Sequence, residues 1–168
     1  WAANLLKIAH VIPQPDGNLG KRIEAVHQQV KNAGGNKSII IGTDAPALTD
    51  AVLIEAANSL ENFDTVIVPA RDGGVTLLGT RLQWPAALHQ LAWETPRLGQ
   101  ELIDLCQSAG HRLHLMSAGT DIDTRMDLVD AYALLETDPR PARIELCNWI
   151  RRSGLISPTK PAGQDISV

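Results

Sequence analysis

The segment Ser-Ile-Ile-Ile-Gly-Thr-Asp, residues 38–44, decides the fold that this sequence predicts. A short, continuous apolar run followed at once by glycine is typical of a central strand that is buried on both faces of a parallel sheet. Ligands of such sheets bind outside the carboxyl ends of the strands. The segment therefore predicts a central strand with Asp44 at the edge where a ligand would bind.

Strand and helix patterns alternate on both sides of this segment. Further strands are predicted over Leu5–Ile12, Thr65–Val68, Val75–Leu78 and His111–Met116. Helices are predicted between Gly20 and Gly34, after the capping residues Thr49, Thr95 and Thr124, and over Ala142–Arg152. This alternation predicts an α/β fold with three α/β/α layers and a mainly parallel sheet. We expect one domain over residues 1–154 and a flexible tail over residues 155–168, which carries Pro158 and Pro161.

The composition limits the possible partners. The chain has 168 residues, 44% of them hydrophobic, and a formal net charge of −4, so a basic surface for nucleic acid or anionic lipid is not expected. No apolar run is long enough to span a membrane. Cys106 and Cys147 have no metal-type spacing and are interpreted as buried thiols of a cytoplasmic protein. The chain begins with Trp1, so upstream sequence is expected to have contributed to the fold.

Three aspartates are candidate ligands for a hard divalent cation such as Mg²⁺ or Mn²⁺. Asp44 follows the central strand, and Asp121 and Asp123 lie between the last strand and a helix that Thr124 and Asp127 can cap. A second interpretation stays open for each of them. Asp44 can be a turn residue that accepts backbone hydrogen bonds, and Asp121 or Asp123 can bind the amino terminus of the following helix.

Other residues give weaker signals. Asp72-Gly73-Gly74 is typical of a tight turn, although its glycines would let the backbone approach a ligand closely. Lys21 and Arg22 can meet a phosphate, but the loop before them lacks the Walker spacing, and a solvated helix start is the favoured interpretation. The five histidines and two cysteines form no pattern of nucleophilic catalysis.

Five motifs, taken in order, resemble one family. They are Gly-Asn-Leu-Gly-Lys-Arg (17–22), Ile-Gly-Thr-Asp-Ala-Pro-Ala-Leu-Thr (41–49), Pro-Ala-Arg-Asp-Gly-Gly (69–74), Trp-Glu-Thr-Pro (93–96) and Asp-Ile-Asp-Thr (121–124). Together they resemble a bacterial glycosyltransferase family, some of whose members are linked to arsenosugar biosynthesis. The fold of that family is like that of the molybdenum-cofactor guanylyltransferases, which is a GT-A or nucleotide-diphospho-sugar transferase-like fold.

The resemblance implies roles for individual residues. It implies that Asp44 and Asp123 bind the metal and that Asp72 is a catalytic residue on the acceptor side. It also implies contacts with substrate for the residues that share these motifs, namely Lys21, Arg22, Gly42, Thr43, Pro46, Gly73 and Gly74. The partners implied are a nucleotide or nucleotide-sugar donor and a small-molecule acceptor. The resemblance stops at Glu136, and the last helix is expected either to cover surface exposed by a missing segment or to form a homodimer contact.

Two departures from the family leave two functions open. The Gly-rich basic loop that grips the donor phosphates has no counterpart here, so the fold is expected to be truncated at its amino terminus. Val75 and Thr76 stand where the family has aromatic residues. The sequence therefore predicts either a metal-dependent glycosyltransferase or nucleotidyltransferase, or an inactive relative that serves as a binding or assembly module.

Overall fold

The computed structural model describes residues 12–156 of the chain. Its four strands are β1 (Ser38–Ile41), β2 (Thr65–Pro69), β3 (Val75–Thr80) and β4 (Leu113–Leu115). Its five α-helices are α1 (Leu19–Asn32), α2 (Asp50–Ser59), α3 (Leu98–Ser108), α4 (Arg125–Leu135) and α5 (Pro141–Arg152), and a short 3-10 helix spans Leu88–Gln90. The predicted strand over Leu5–Ile12, apart from its last residue, and the predicted tail beyond Ile156 lie outside the described residues.

The described residues form two compact units. Unit 1 consists of residues 12–42 and 48–119 and contains the sheet with helices α1, α2 and α3. Unit 2 consists of residues 43–47 and 120–156 and contains helices α4 and α5. The segment 43–47, which carries Asp44, thus belongs to the same unit as Asp121 and Asp123 although about eighty residues separate them in sequence.

The sheet of unit 1 corrects two predictions. Its strand order is β1-β3-β2-β4, and only the β2–β4 pair is parallel, so a mainly parallel sheet is wrong for the described pairings. The connection from β2 to β3 is a turn of five residues, and so short a connection can only reverse the chain. Strand β1 was predicted to be central, but among the described strands it lies at one edge, paired with β3 alone.

Two hydrophobic clusters cover the middle of this sheet. Ile67 and Leu78 pack in one cluster with Ile23 of α1 and Leu102 of α3. The neighbouring residues Val66, Val68 and Leu77 pack in the other with Ala56 of α2 and with Leu60, which caps the end of α2. Leu60 and Val66 are fully buried. Since successive side chains of a strand point to opposite faces, these clusters lie on the two faces of the sheet. The compact apolar runs of β2 and β3 are explained by this burial on both faces.

A buried carboxylate fastens the strand ends. Asp64, whose side chain is 10% exposed, accepts hydrogen bonds from Arg81 Nη2 at 2.7 Å and from the backbone N–H of Arg112 at 2.9 Å. Arg112 also binds it through its guanidinium, with Nε at 3.2 Å. The hydrogen bonds from Arg112, followed by those from Arg81, hold the pKa of Asp64 well below its usual range. The start of β2, the end of β3 and the start of β4 are thereby joined by one charged group.

Capping predictions met different outcomes. Thr49 caps α2 as predicted, since its Oγ1 accepts a hydrogen bond from Val52 N. Thr95 does not cap α3, because that helix begins at Leu98 and the Thr95 hydroxyl donates to Ala92 O at 2.7 Å. The Thr-Pro pair therefore shapes a turn ahead of the helix, and Pro96 lies outside it.

Candidate functional site

Asp44 and the Asp121–Asp123 segment lie together in unit 2. The backbone N–H of Ile122 donates a hydrogen bond of 3.0 Å to the backbone carbonyl of Asp44. The preceding residues follow β2, because Met116 N donates to Ile67 O and Gly119 N donates to Pro69 O at 2.8 Å. This extended path after β4 ends at Gly119, after which the chain enters unit 2.

The carboxylates of Asp121 and Asp123, on either side of Ile122, are close to each other. Asp121 and Asp123 each offer an oxygen, and these two oxygens lie within 4.8 Å. Asp44 and Asp123 are exposed, and Asp121 is half-buried. Among residues 12–156, neither the Asp44 nor the Asp123 carboxylate has a hydrogen-bond partner. The arrangement offers hard oxygen ligands of the kind that Mg²⁺ and Mn²⁺ take.

Thr124 and Asp127 form the cap at the amino terminus of α4. Its Oδ2 accepts hydrogen bonds from Thr124 N at 2.7 Å and from Asp123 N at 3.2 Å. Thr124 Oγ1 accepts from Asp127 N in return, which completes the predicted capping box. Hydrogen bonds from Thr124 and then from Asp123 lower the pKa of Asp127. The helix amide of Asp127 is therefore bound by the Thr124 hydroxyl, and among residues 12–156 the Asp123 carboxylate takes no part in the cap.

Asp72 lies in unit 1, in the turn between β2 and β3. Its Oδ1 accepts a hydrogen bond of 2.8 Å from Gly74 N, the local bond expected of an aspartate in a turn. The side chain is exposed. The local interpretation of Asp72-Gly73-Gly74 as a turn is confirmed, and the catalytic role that the resemblance implies for Asp72 stays a prediction.

Gly73 is required by packing within unit 1. Its φ is +94°, and a Cβ there would lie 2.1 Å from the carbonyl oxygen of Pro96. Its own carbonyl accepts a hydrogen bond of 2.8 Å from Gly99 N, in the first turn of α3. The close backbone approach predicted for these glycines is thus made to another part of the chain.

The remaining predicted contact residues lie in both units. Gly42 N donates to Thr76 O at 3.2 Å, which extends the β1–β3 pairing by one residue, while Thr43 and Pro46 belong to unit 2 with Asp44. Lys21 and Arg22 are exposed in the first turn of α1, and Arg22 Nε donates to Gly17 O at 2.9 Å. Their contacts with substrate stay predictions.

Two features of the described residues have no signal in the sequence. The pairing of Ile122 with Asp44 joins residues far apart in the chain, and no residue pattern announces it. Glu94 adopts a φ of 62°, which a side chain other than glycine or asparagine rarely takes. Only the Trp-Glu-Thr-Pro motif at 93–96 drew attention to that position.

The chain can be compared with known proteins in sequence and in structure. No curated protein matches the chain in sequence. The chain is similar to the crystal structure of a "putative nucleotide-diphospho-sugar transferase" from Desulfovibrio desulfuricans G20, with a TM-score of 0.76 and 24% sequence identity. The similarity covers 83% of this chain and 62% of that one, so the chain spans less than two thirds of its length.

At this identity the likeness shows the fold alone, and the coarse prediction of a nucleotide-diphospho-sugar transferase-like fold is confirmed. None of the helices within residues 12–156 is long and apolar enough to cross a bilayer. A family model matches residues 1–95, more than half of the sequence, and the chain therefore belongs to DUF2064, described as an uncharacterized protein conserved in bacteria.

Proposed function

We propose that this chain takes part in the transfer of a sugar or nucleotidyl group from a nucleotide-activated donor to a small acceptor, with Mg²⁺ or Mn²⁺ bound by Asp44 and Asp123. The observation that carries the proposal is the hydrogen bond between Ile122 N and Asp44 O, which makes the Asp121–Asp123 segment a neighbour of Asp44. The nucleotide-sugar donor is suggested by the fold that the chain shares with the Desulfovibrio protein.

The spacing of the Asp121 and Asp123 carboxylates supports a cation that these two residues share. Ligand oxygens lie about 2.0–2.6 Å from Mg²⁺ or Ca²⁺, so two oxygens on one ion are at most about 5 Å apart. The oxygens of Asp121 and Asp123 fall within that limit. Asp121 is therefore a third candidate ligand beside Asp44 and Asp123, the two that the resemblance implies.

The chemistry follows from charge. A divalent cation would neutralise the negative charge that develops on the leaving diphosphate of the donor. The exposed carboxylates would hold it while the donor oxygens and water complete its coordination, since Mg²⁺ is usually bound by only one or two protein carboxylates. The acceptor hydroxyl oxygen would form the new bond to the transferred group and lose its proton to water. The electron pair of the broken bond would leave with the nucleoside diphosphate when a sugar is transferred, and with diphosphate when a nucleotidyl group is transferred.

A thermal-shift experiment tests the proposal. Nucleotides and nucleotide sugars are screened with and without Mn²⁺ on the wild type and on the Asp44→Asn and Asp123→Asn variants. A ligand at 100 times its dissociation constant stabilises the folded chain by about 2.7 kcal/mol. We expect a Mn²⁺-dependent rise in the melting temperature of the wild type that both variants lose.

The matched control is Asp130→Asn, which removes an exposed carboxylate of α4 in the same unit. This variant should keep the Mn²⁺-dependent rise in full. A wild type that gains no stability from any nucleotide with Mn²⁺ contradicts the proposal and favours a binding or assembly module. A rise that survives in Asp44→Asn contradicts the assignment of the metal ligands.

A further inference from the structure

A cleft in unit 1 lies beside the first turn of α1. Its volume is about 330 Å³. Pockets for small ligands hold about 300–1,000 Å³, so this one admits a single ring and is too small for a whole nucleotide sugar. Its lining residues come from two segments, the start of α1 and the chain after the 3-10 helix, and are Asn18, Leu19, Arg22, Leu91, Ala92, Trp93 and Glu94.

The two walls of the cleft are fixed against each other. Asn18 Nδ2 donates a hydrogen bond of 2.7 Å to His89 O, and Asn18 Oδ1 accepts one from Lys21 N. At Gly20 a Cβ would lie 2.5 Å from Trp93 Nε1 and 2.8 Å from Leu88 O, so only glycine permits this close approach. The cleft is therefore formed before any ligand arrives, which lowers the entropic cost of binding.

Trp93 supplies an aromatic surface with no spare polar group. Its indole Nε1 donates to Leu88 O at 2.9 Å, which fixes the ring, and the side chain is half-buried. A fixed indole offers an apolar face against which the C–H groups of a ring can pack. Trp93 can therefore offer a ligand only apolar contact, and hydrogen bonds to the ligand must come from other residues of the cleft.

Arg22 and Glu94 supply opposite charges that do not pair with each other. Only Nε of Arg22 has a partner within the described part of the chain, the Gly17 carbonyl, so the terminal nitrogens remain available as donors. The exposed Glu94 carboxylate has no partner there either, and its backbone is held at a φ of 62°. Strained conformations of this kind persist where the surrounding structure enforces them, often at ligand sites.

From these features we infer that the cleft binds one neutral, hydroxyl-bearing ring, that is, a monosaccharide unit. Each sugar hydroxyl can both donate to Glu94 and accept from Arg22, while the apolar face of the ring packs on Trp93. A purely anionic ligand would meet the Glu94 carboxylate, so the cleft disfavours a free phosphate. The inference deepens the proposed function and rests on it only in treating the bound sugar as part of a substrate.

Binding is tested by NMR on the tryptophan indole signals. The chain has four tryptophans, and a Trp93→Phe variant identifies the Trp93 signal. Glucose, galactose and ribose are titrated into the wild type without metal or nucleotide, with L-serine as a zwitterionic probe and sorbitol as an open-chain polyol. We expect the ring sugars to move the Trp93 signal and to leave the exposed Trp149 signal unchanged.

Three variants locate the contact. Arg22→Gln and Glu94→Gln should each weaken sugar affinity by about fivefold to tenfold, the effect of losing one hydrogen-bond partner. Arg152→Gln removes an exposed charge from α5 and should change nothing. Glu94→Gly should raise the melting temperature by relieving the strained backbone while still weakening the sugar, which separates binding from folding damage.

The outcomes divide cleanly. No movement of the Trp93 signal with any ring sugar overturns the inference, as does equal affinity in wild type, Arg22→Gln and Glu94→Gln. A response to serine or sorbitol alone overturns the ring sugar as the ligand class. Sugar binding that persists while no nucleotide stabilises the chain with Mn²⁺ upholds the cleft and defeats the transferase proposal.

Discussion

Asp64 in unit 1 and Asp123 in unit 2 show two different uses of an aspartate. Asp64 is 10% exposed at its side chain and bound by two arginines, whereas Asp123 is exposed and its carboxylate has no partner among the described residues. A carboxylate surrounded by donors is a fixed part of the fold, and removing it leaves charges unpaired. An unpartnered carboxylate contributes little to stability and remains available for a ligand. The comparison predicts that substitution of Asp64 lowers the free energy of unfolding, whereas substitution of Asp123 affects ligand binding and leaves stability nearly unchanged.

The largest expected effect is at Asp64. Asp64→Asn leaves Arg81 and Arg112 without their anion, although both arginines can recover water because their side chains are 32% and 60% exposed. We expect a loss of about 2–3 kcal/mol in the free energy of unfolding at pH 7, below the usual cost of breaking a fully buried pair. Urea denaturation of the two proteins measures it.

The pH dependence of this difference gives the control. Because the folded pKa of Asp64 is lowered, its stabilisation is complete above the unfolded value near 3.9 and is lost as pH falls through the folded value. The gap between wild type and Asp64→Asn should therefore narrow below about pH 4. A gap that is constant down to pH 2 would show that the carboxylate charge is not what stabilises the fold.

His27 provides the next effect, again in unit 1. Its side chain is 1% exposed, its Nδ1 lies 2.7 Å from Ser38 Oγ, and its ring meets Trp84 edge-on. Burial, followed by the nearby charge of Lys31, lowers the pKa of His27. The neutral ring is favoured in the folded state, so stability is present above about pH 6.5 and falls as pH drops below that value.

The expected slope for one proton is at most about 1.4 kcal/mol per pH unit. Unfolding free energies between pH 5 and pH 7.5 measure it, and the NMR shift of the His27 ring protons reports its protonation directly. A His27 signal that titrates above pH 6.5 would contradict the prediction.

The fold was predictable where local patterns decide it. The apolar runs of β1 and β2 and the caps of α2 and α4 appear where the sequence predicts them, because each depends on residues a few positions apart. The order and direction of the strands were not predictable in the same way. The five-residue connection after β2 fixes an antiparallel neighbour, but nothing in the β1 sequence reveals that it pairs with β3.

In the candidate site, too, local features were predictable and contacts between distant segments were not. Asp44 and Asp123 could be chosen from sequence because the motifs that resemble the glycosyltransferase family contain them, and the Thr124–Asp127 capping box was visible from its spacing. The backbone segments of the two aspartates lie side by side because Ile122 donates a hydrogen bond to Asp44, a contact between distant segments. The positive φ of Glu94 could not be predicted either, because a glutamate at this position does not indicate that conformation.

The smallest expected effect on stability is at the cap of α4, and it tests whether the Asp123 carboxylate takes part in that cap. Thr124→Ala removes the oxygen that accepts from Asp127 N and should cost about 1 kcal/mol of unfolding free energy, the usual value for a helix cap, while Thr124→Ser should retain most of it. Asp123→Asn should change the urea midpoint less than Thr124→Ala does, because the helix amide of Asp127 is bound by the Thr124 hydroxyl and not by the Asp123 carboxylate. Equal losses in Asp123→Asn and Thr124→Ala would mean that Asp123 acts as a cap. Its carboxylate would then already be committed to the helix, and the metal proposed between it and Asp44 would lose one of its two ligands.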